Sequence, residues 1–279
     1  MGVRRLPGVA ALLTAGAVVI SGCGTRAAQV EDSAPPAPSA ALDTTRATPP
    51  AAGQGGPAAT QAPVAAPRKT LKLGAKGKSV TWLQERLKEL GYRPGKADGR
   101  YGGTTLAAVW AFQKVNGIKP TSTIADRTWD ALETPKTPKV LAANGKPTRA
   151  EVDLTKQIMV LYVRGEVKLI THVSSGSNVP YCETADWQGK TQRFCGSAST
   201  PTGNYRTTWR ASGWHKSYLG ELYNPIFFNG GIAFHGALSV PLYPASHGCV
   251  RLPMNVAQEL PKLLGKGVPV HVRGKFKRV

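Results

Sequence analysis

Acidic residues are scarce in this chain of 279 residues: 16 Asp and Glu stand against 36 Lys and Arg, a formal net charge of +20. That balance favours polyanionic surroundings, whether nucleic acid, anionic lipid or acidic wall polymer. Cysteine is scarcer still, with four residues, Cys23, Cys182, Cys195 and Cys249. No Cys-x-x-Cys or His-x-x-x-His pair occurs among the residues, so the usual zinc spacings are missing and neither a metal nor a cofactor is expected. Long apolar runs are also lacking. The run from Val9 to Ile20 falls short of the ~20 residues that span a bilayer. Placed after Arg4-Arg5, it reads as an export signal. Export removes cytosolic nucleic acid as a partner and leaves membrane surface and wall polymer.

The run ends in Ile20-Ser21-Gly22-Cys23, which resembles the bacterial lipobox. That resemblance implies that residues 1–23 are a lipoprotein signal with its lipobox, cut just ahead of Cys23, with Cys23 lipidated as the new N-terminus and the protein held by its lipid on the outer face of the cytoplasmic membrane, within the wall. Residues 24–68 are rich in Ala, Pro, Thr, Ser and Gly and have almost no large apolar side chain. Such a segment buries too little surface to offset its chain entropy, so it is expected to be a disordered tether.

Residues 69–134 read as a small all-α module of three helices. Val80, Leu83, Leu87 and Leu90 recur at helical spacing, with Ser79 as an N-cap and Gly91 as the stop. Thr104 or Thr105 would cap a second helix carrying Leu106, Val109 and Phe112 and ending near Asn116-Gly117. A third follows Asp126, with Trp129 and Leu132 facing inward. The series Gly77-x-x-Val80-x-x-Leu83-Gln84, Leu90-Gly91-Tyr92, Asp98-Gly99-x-Tyr101-Gly102 and Phe112-Gln113 resembles the peptidoglycan-binding module of wall enzymes. Trp82, Tyr92, Tyr101 and Trp110 are either core or sugar-stacking residues.

After a linker at 135–147 the pattern changes to strands, and residues 148–279 form the second folded unit. Glu151–Leu154, Ile158–Val163 and Glu166–Ser174 read as strands, with Arg164-Gly165 turning the chain between the last two. Ile232-Ala233-Phe234 leads straight into His235, and Gly267–Val272 makes a last strand. Asn255 with Gln258 has capping-box spacing ahead of one late helix. The expected fold is mainly β, sandwich-like, with that single helix.

Cys182 and Cys195 lie 13 residues apart. Outside the cell they can close a loop, a constraint worth roughly 3 kcal/mol in chain entropy. Pairing either of them with Cys249 would instead consume the third thiol. Left free, Cys249 sits in Ser246-His247-Gly248-Cys249-Val250-Arg251, with His235-Gly236 upstream. A thiol needs a neighbouring base or positive field to become a nucleophile, and glycines open backbone amides towards a reacting carbonyl. These residue types fit acyl transfer through a thioester.

His235-Gly236 followed by Ser246-His247-Gly248-Cys249-Val250-Arg251-Leu252-Pro253, with Thr200-Pro201-x-Gly203 upstream and Gly267-Val268-Pro269-Val270 at the end, resembles the L,D-transpeptidase catalytic domain of the YkuD type. The resemblance implies that Cys249 attacks the carbonyl between the third residue of a peptidoglycan stem peptide and the D-alanine after it. His235 matches the base, the Gly236 carbonyl orients its ring, and amides around Gly248 receive the oxyanion. Ser246 and His247 are further candidates at the site. Arg251 would meet either a substrate carboxylate or an acidic side chain of its own domain. The segment from Cys182 to Cys195 departs from the family as an insertion, either over the cleft or as a stapled surface loop. Peptidoglycan stems and glycan are the implied partners, and transfer to an amine acceptor the implied reaction. Hydrolysis of the same thioester and a non-catalytic wall-binding lipoprotein are the competing readings. Cys-His wall endopeptidases put their cysteine before the histidine, the reverse of the order here.

Overall fold

Ile158-Met159-Val160-Leu161-Tyr162-Val163 is an apolar run with no polar alternation, and the fold accounts for it. A computed structural model describes residues 65–276; the signal segment, Cys23 and the tether as far as residue 64 lie outside the described residues. Residues of this strand point in alternation to opposite faces. Ile158, Val160 and Tyr162 pack against helices, whereas Met159 and Leu161 pack into a sandwich core. A strand buried on both faces has no solvent side to mark with polar residues.

The helices are α1 (Lys78–Glu89), α2 (Gly103–Asn116) and α3 (Asp126–Glu133), followed by β1 (Arg149–Asp153), β2 (Ile158–Val163) and β3 (Glu166–His172). Next come β4 (Pro180–Trp187), β5 (Lys190–Ser197), β6 (Gly203–Arg206), β7 (Trp214–Ser217), β8 (Gly220–Asn229) and β9 (Ile232–Gly236). The chain closes with β10 (Val250–Leu252), α4 (Met254–Leu263) and β11 (Pro269–Arg273). One sheet has the order β3-β2-β1-β11-β6, a second β10-β9-β8-β7, and β4-β5 stand apart as a hairpin. The first two sheets enclose a core of Val152, Leu161, Leu169, Phe228, Phe234, Val250 and Val270 with α4 residues Val256 and Leu260. This is the mainly β, sandwich-like unit with one late helix.

Three expected helix caps are not made, and at two of them, Thr105 and Asn255, the side chain is engaged elsewhere. α1 starts at Lys78 after Gly77 in a positive-φ conformation, and Ser79 makes no cap. α2 starts at Gly103, because Thr105 is buried, donating to the Pro94 carbonyl and accepting from Gln84. α4 starts at Met254 after Pro253 without a side-chain cap; Asn255 instead donates its amide to the Arg93 carbonyl of the helical module. The segment from Cys182 to Cys195 is a regular hairpin in which the two cysteines face each other across the ladder and are joined by a disulfide. Tyr92 and Tyr101 are buried core residues, and Trp82 and Trp110 pack on the same core.

The helical module is docked on the outer face of the first sheet. Its core runs without a break into Ile158, Val160, Tyr162 and Ile170, and each aliphatic side chain so covered is worth roughly 1.5–3 kcal/mol. Polar contacts fix the register: Arg93 grips Glu259 with two nitrogens at 2.6 and 3.0 Å, and the Ile170 amide donates to Gly91 at 3.0 Å.

Lys114 of α2 is half-buried in this junction, donating to the Gln157 carbonyl at 3.1 Å and to His172 Nδ1 at 2.8 Å. His172 Nε2 therefore carries the ring proton, which it gives to the Val240 carbonyl at 3.0 Å. Burial pushes the Lys114 ammonium down to about 7 from its ordinary 10.5. Between those values the unfolded chain holds a proton the folded chain lacks, so this residue makes stability rise with pH from 7 to 10.5, by roughly 3–5 kcal/mol. In Lys114→Met that component should vanish from urea-unfolding free energies measured across the same window; an unchanged slope would show that the amine is solvated.

Candidate active site

Strands β9 and β10 run parallel with Val250 beside Phe234, Arg251 beside His235 and Leu252 beside Gly236. Phe234, Val250 and Leu252 are fully buried in the sandwich core. Alternation along each strand then sends Ala233, His235, Cys249 and Arg251 to the opposite, outer face. Sequence-distant groups thus meet because one face of this strand pair is committed to the core.

His235 is 4% exposed. Its Nδ1 lies 2.9 Å from the Gly236 carbonyl, and a carbonyl only accepts, so Nδ1 holds the proton and Nε2 keeps a lone pair. Burial pushes this imidazole down to about 4; the Gly236 bond opposes the shift and the charge of Arg251 adds to it. The ring is therefore neutral at physiological pH. A side chain at position 236 would collide with Ala257, Tyr223 and Met254, whose atoms stand 2.9–3.1 Å from a Cβ there. Glycine is dictated by packing at the point where its carbonyl is used.

Cys249 is half-buried and is the free cysteine among the described residues. Its sulfur accepts from the Ala233 amide at 3.4 Å and donates to the Gly231 carbonyl at 3.6 Å. Burial pushes the thiol up, against the Ala233 bond and the positive field of Arg251, which pull it down. The resting pair is a thiol and a neutral imidazole. Arg251 is half-buried and acts electrostatically on both; among the described residues it pairs with no carboxylate of its own domain.

The loop ahead of Cys249 is held from inside. Ser246 donates to the Cys249 carbonyl and accepts from the Gly248 amide at 3.0 Å. Thr200 Oγ1 donates to the Gly248 carbonyl at 2.6 Å while accepting from the Gly176 amide. Gly248 sits at φ +142°, and a Cβ would meet the Ser199 carbonyl at 3.0 Å. This corrects one expectation: the Gly248 amide is spent on Ser246 and does not point at a reacting carbonyl. Thr200 belonged to a supporting motif in the sequence, and its role as the loop's outer brace is visible only in three dimensions.

His247 turns away from this loop. Its Nε2 lies 2.6 Å from Glu183 Oε1, and its ring meets Tyr181 edge-on with centroids 4.8 Å apart. Both partners belong to β4, beside the disulfide at Cys182. Phe194, the cross-strand partner of Glu183, stacks on Tyr218 of the β7–β8 turn with centroids 4.2 Å apart, and Trp187 near the hairpin tip meets the same ring edge-on at 6.2 Å. The insertion thus ties the residue two positions before Cys249 to the far end of the second sheet. Sequence reasoning missed Glu183 and Tyr181; their proximity to Cys182 was the one available signal.

Comparison with known proteins adds the following. Residues 147–272 match the model of the YkuD family, the L,D-transpeptidase catalytic domain, and residues 76–132 match that of a peptidoglycan-binding domain. No curated protein matches the chain. A crystal structure of the L,D-transpeptidase from Xylanimonas cellulosilytica is 36% identical, covering 74% of this chain and 98% of that one, with a TM-score of 0.64. A crystal structure of the L,D-transpeptidase from Stackebrandtia nassauensis is 26% identical over 74% of this chain and 96% of that one, with a TM-score of 0.41.

Proposed function

Since this chain belongs to the L,D-transpeptidase family, with a peptidoglycan-binding domain ahead of its YkuD catalytic domain, we propose that it transfers peptidoglycan stem peptides through a thioester on Cys249. The observation that carries the reading is the tautomer of His235: a proton fixed on Nδ1 by the Gly236 carbonyl leaves Nε2 as a base on the face that carries Cys249.

The thiol proton passes to Nε2 as sulfur adds to the carbonyl between the third stem residue and D-alanine. Negative charge moves onto the carbonyl oxygen. With the Gly248 amide engaged by Ser246, the Cys249 amide is the backbone donor offered to that oxygen, aided by the charge of Arg251. The carbon–nitrogen bond then breaks, His235 returns its proton to the departing amine, and a thioester remains. An acceptor amine repeats the sequence in reverse: it loses its proton to His235, forms the new amide, and sulfur leaves with that proton. A depressed imidazole and a raised thiol mean that no stable ion pair has to be discharged before attack. Arg251, free of an internal carboxylate among the described residues, is suited to a carboxylate of the stem.

Incubating the full chain with a tetrapeptide stem and reading intact protein and products by mass spectrometry tests this. A mass gain of one tripeptidyl group on Cys249 together with a cross-linked product is expected. Free tripeptide alone would make the enzyme an L,D-carboxypeptidase, and no turnover would leave a wall-binding protein. We further propose export and lipid anchoring at Cys23, on the strength of Ile20-Ser21-Gly22-Cys23. Cys23→Ala should then shift the protein out of the membrane fraction.

A further inference from the structure

Across the second sheet, one row of residues extends sideways from the nucleophile on the outer face. Cys249 adjoins Ala233, whose amide holds its sulfur. Ala233 is the register partner of Phe227. Phe227 in turn exchanges a backbone hydrogen bond with Trp209 on the next segment, at 2.9 Å. Trp209 lies flat on Phe227, with ring centroids 3.9 Å apart and planes 12° from parallel. His215 meets the indole edge-on at 5.5 Å. One face of the indole is thus backed and one edge buttressed, yet the residue is 49% exposed. A large aromatic ring held rigidly with its second face in water, on the side of the sheet that does the chemistry, is a binding surface rather than core.

We propose that the open face of Trp209 is a subsite for a sugar ring of the glycan strand that bears the donor stem, a step beyond the acyl-transfer reading and resting on it. The apolar C–H face of a pyranose matches a flat indole in shape and polarity. The spacing also fits. Three strand-to-strand steps separate Cys249 from Trp209 in the row, about 14 Å at ordinary sheet spacing. A stem attacked after its third residue has three residues and the lactyl link between the reacting carbonyl and the sugar. Four extended units of about 3.4 Å cover about 14 Å. A donor with its carbonyl at Cys249 therefore delivers its sugar to Trp209. The platform is made before binding, so little ordering is lost on contact.

The experiment compares steady-state kinetics of the full chain and of Trp209→Ala with two donors, a bare tetrapeptide and the same tetrapeptide on its disaccharide. Trp209→Ala should raise KM for the disaccharide donor about tenfold, the loss of one stacking contact, leave kcat unchanged, and leave KM for the bare donor within about twofold. Trp209→Phe should recover most of the lost affinity. An equal rise in KM for both donors, or none for either, overturns the sugar subsite. Absence of turnover of both donors by the unaltered chain would overturn the acyl-transfer reading itself, and the subsite with it.

Discussion

Cys249→Ala is expected to remove product formation altogether, a fall of at least about 10⁴-fold in turnover, while leaving the fold intact. No other described group can take over. His247 is engaged by Glu183 and Ser246 by the Cys249 carbonyl and the Gly248 amide. The structural cost is small, since the sulfur makes only two long hydrogen bonds, to Ala233 and Gly231. The strand pairing of β10 runs through backbone that the substitution leaves untouched. Intact-mass spectra after incubation with stem peptide should show no adduct, and circular dichroism should match the parent chain. Retained turnover would make the thioester mechanism untenable. A related measurement follows from the raised thiol: alkylation by iodoacetamide should be slow at pH 7 and climb above pH 9, unlike that of a thiolate activated by a standing ion pair.

His235→Gln should lower kcat by about 10²–10⁴-fold, the usual weight of a general base. Its pH behaviour distinguishes this from loss of packing. With the folded imidazole pushed down to about 4, the base form persists well below neutrality, so the acid limb of kcat/KM should fall near pH 4 rather than 6.5. Stability falls with acid too, and over a higher window. From pH 6.5 to 4 the unfolded chain binds a proton at this histidine that the folded chain refuses. Acidification therefore costs up to roughly 3 kcal/mol from His235. His172, pushed down to about 3 by burial and by Lys114, adds a loss of the same sign. Unfolding must accordingly be measured at each assay pH. His235→Gln should remove its own share of the acid destabilisation while the share of His172 remains. An acid limb at pH 6.5 in the parent chain would show that the ring is not shielded from water.

The strands and residues legible in the sequence were those whose surroundings are one-sided or symmetrical enough to leave a pattern. β2 and β3 announced themselves as apolar and alternating runs, and α1 to α3 by helical spacing. The candidates His235, Gly236 and Cys249 stood out in the sequence because their residue types and spacing are distinctive, and the fold sets them on β9 and directly ahead of the adjacent β10. Hairpin β4–β5 did not stand out. Residues such as Glu183, Thr184, Gln192 and Arg193 leave it solvated on both faces, so no apolar alternation marks it as sheet. Strand β10 is three residues long, and β8 carries Pro225 and two register shifts, which break any period. The role of Thr200 and the engagement of the Gly248 amide depend on contacts that no local spacing encodes. The misplaced caps have the same origin: Thr105 and Asn255 suit a helix end by type, yet buried neighbours claim their side chains first.

The continuity of apolar packing from α2 into Ile158, Val160, Tyr162 and Ile170 bears on how this protein can be cut. A fragment trimmed to the enzymatic motif would carry a bare greasy flank, with Lys168 and Glu259 deserted by Arg93. The two units are not exchangeable cassettes, and grafting a foreign wall-binding head onto these strands would require redesigning the flank residue by residue.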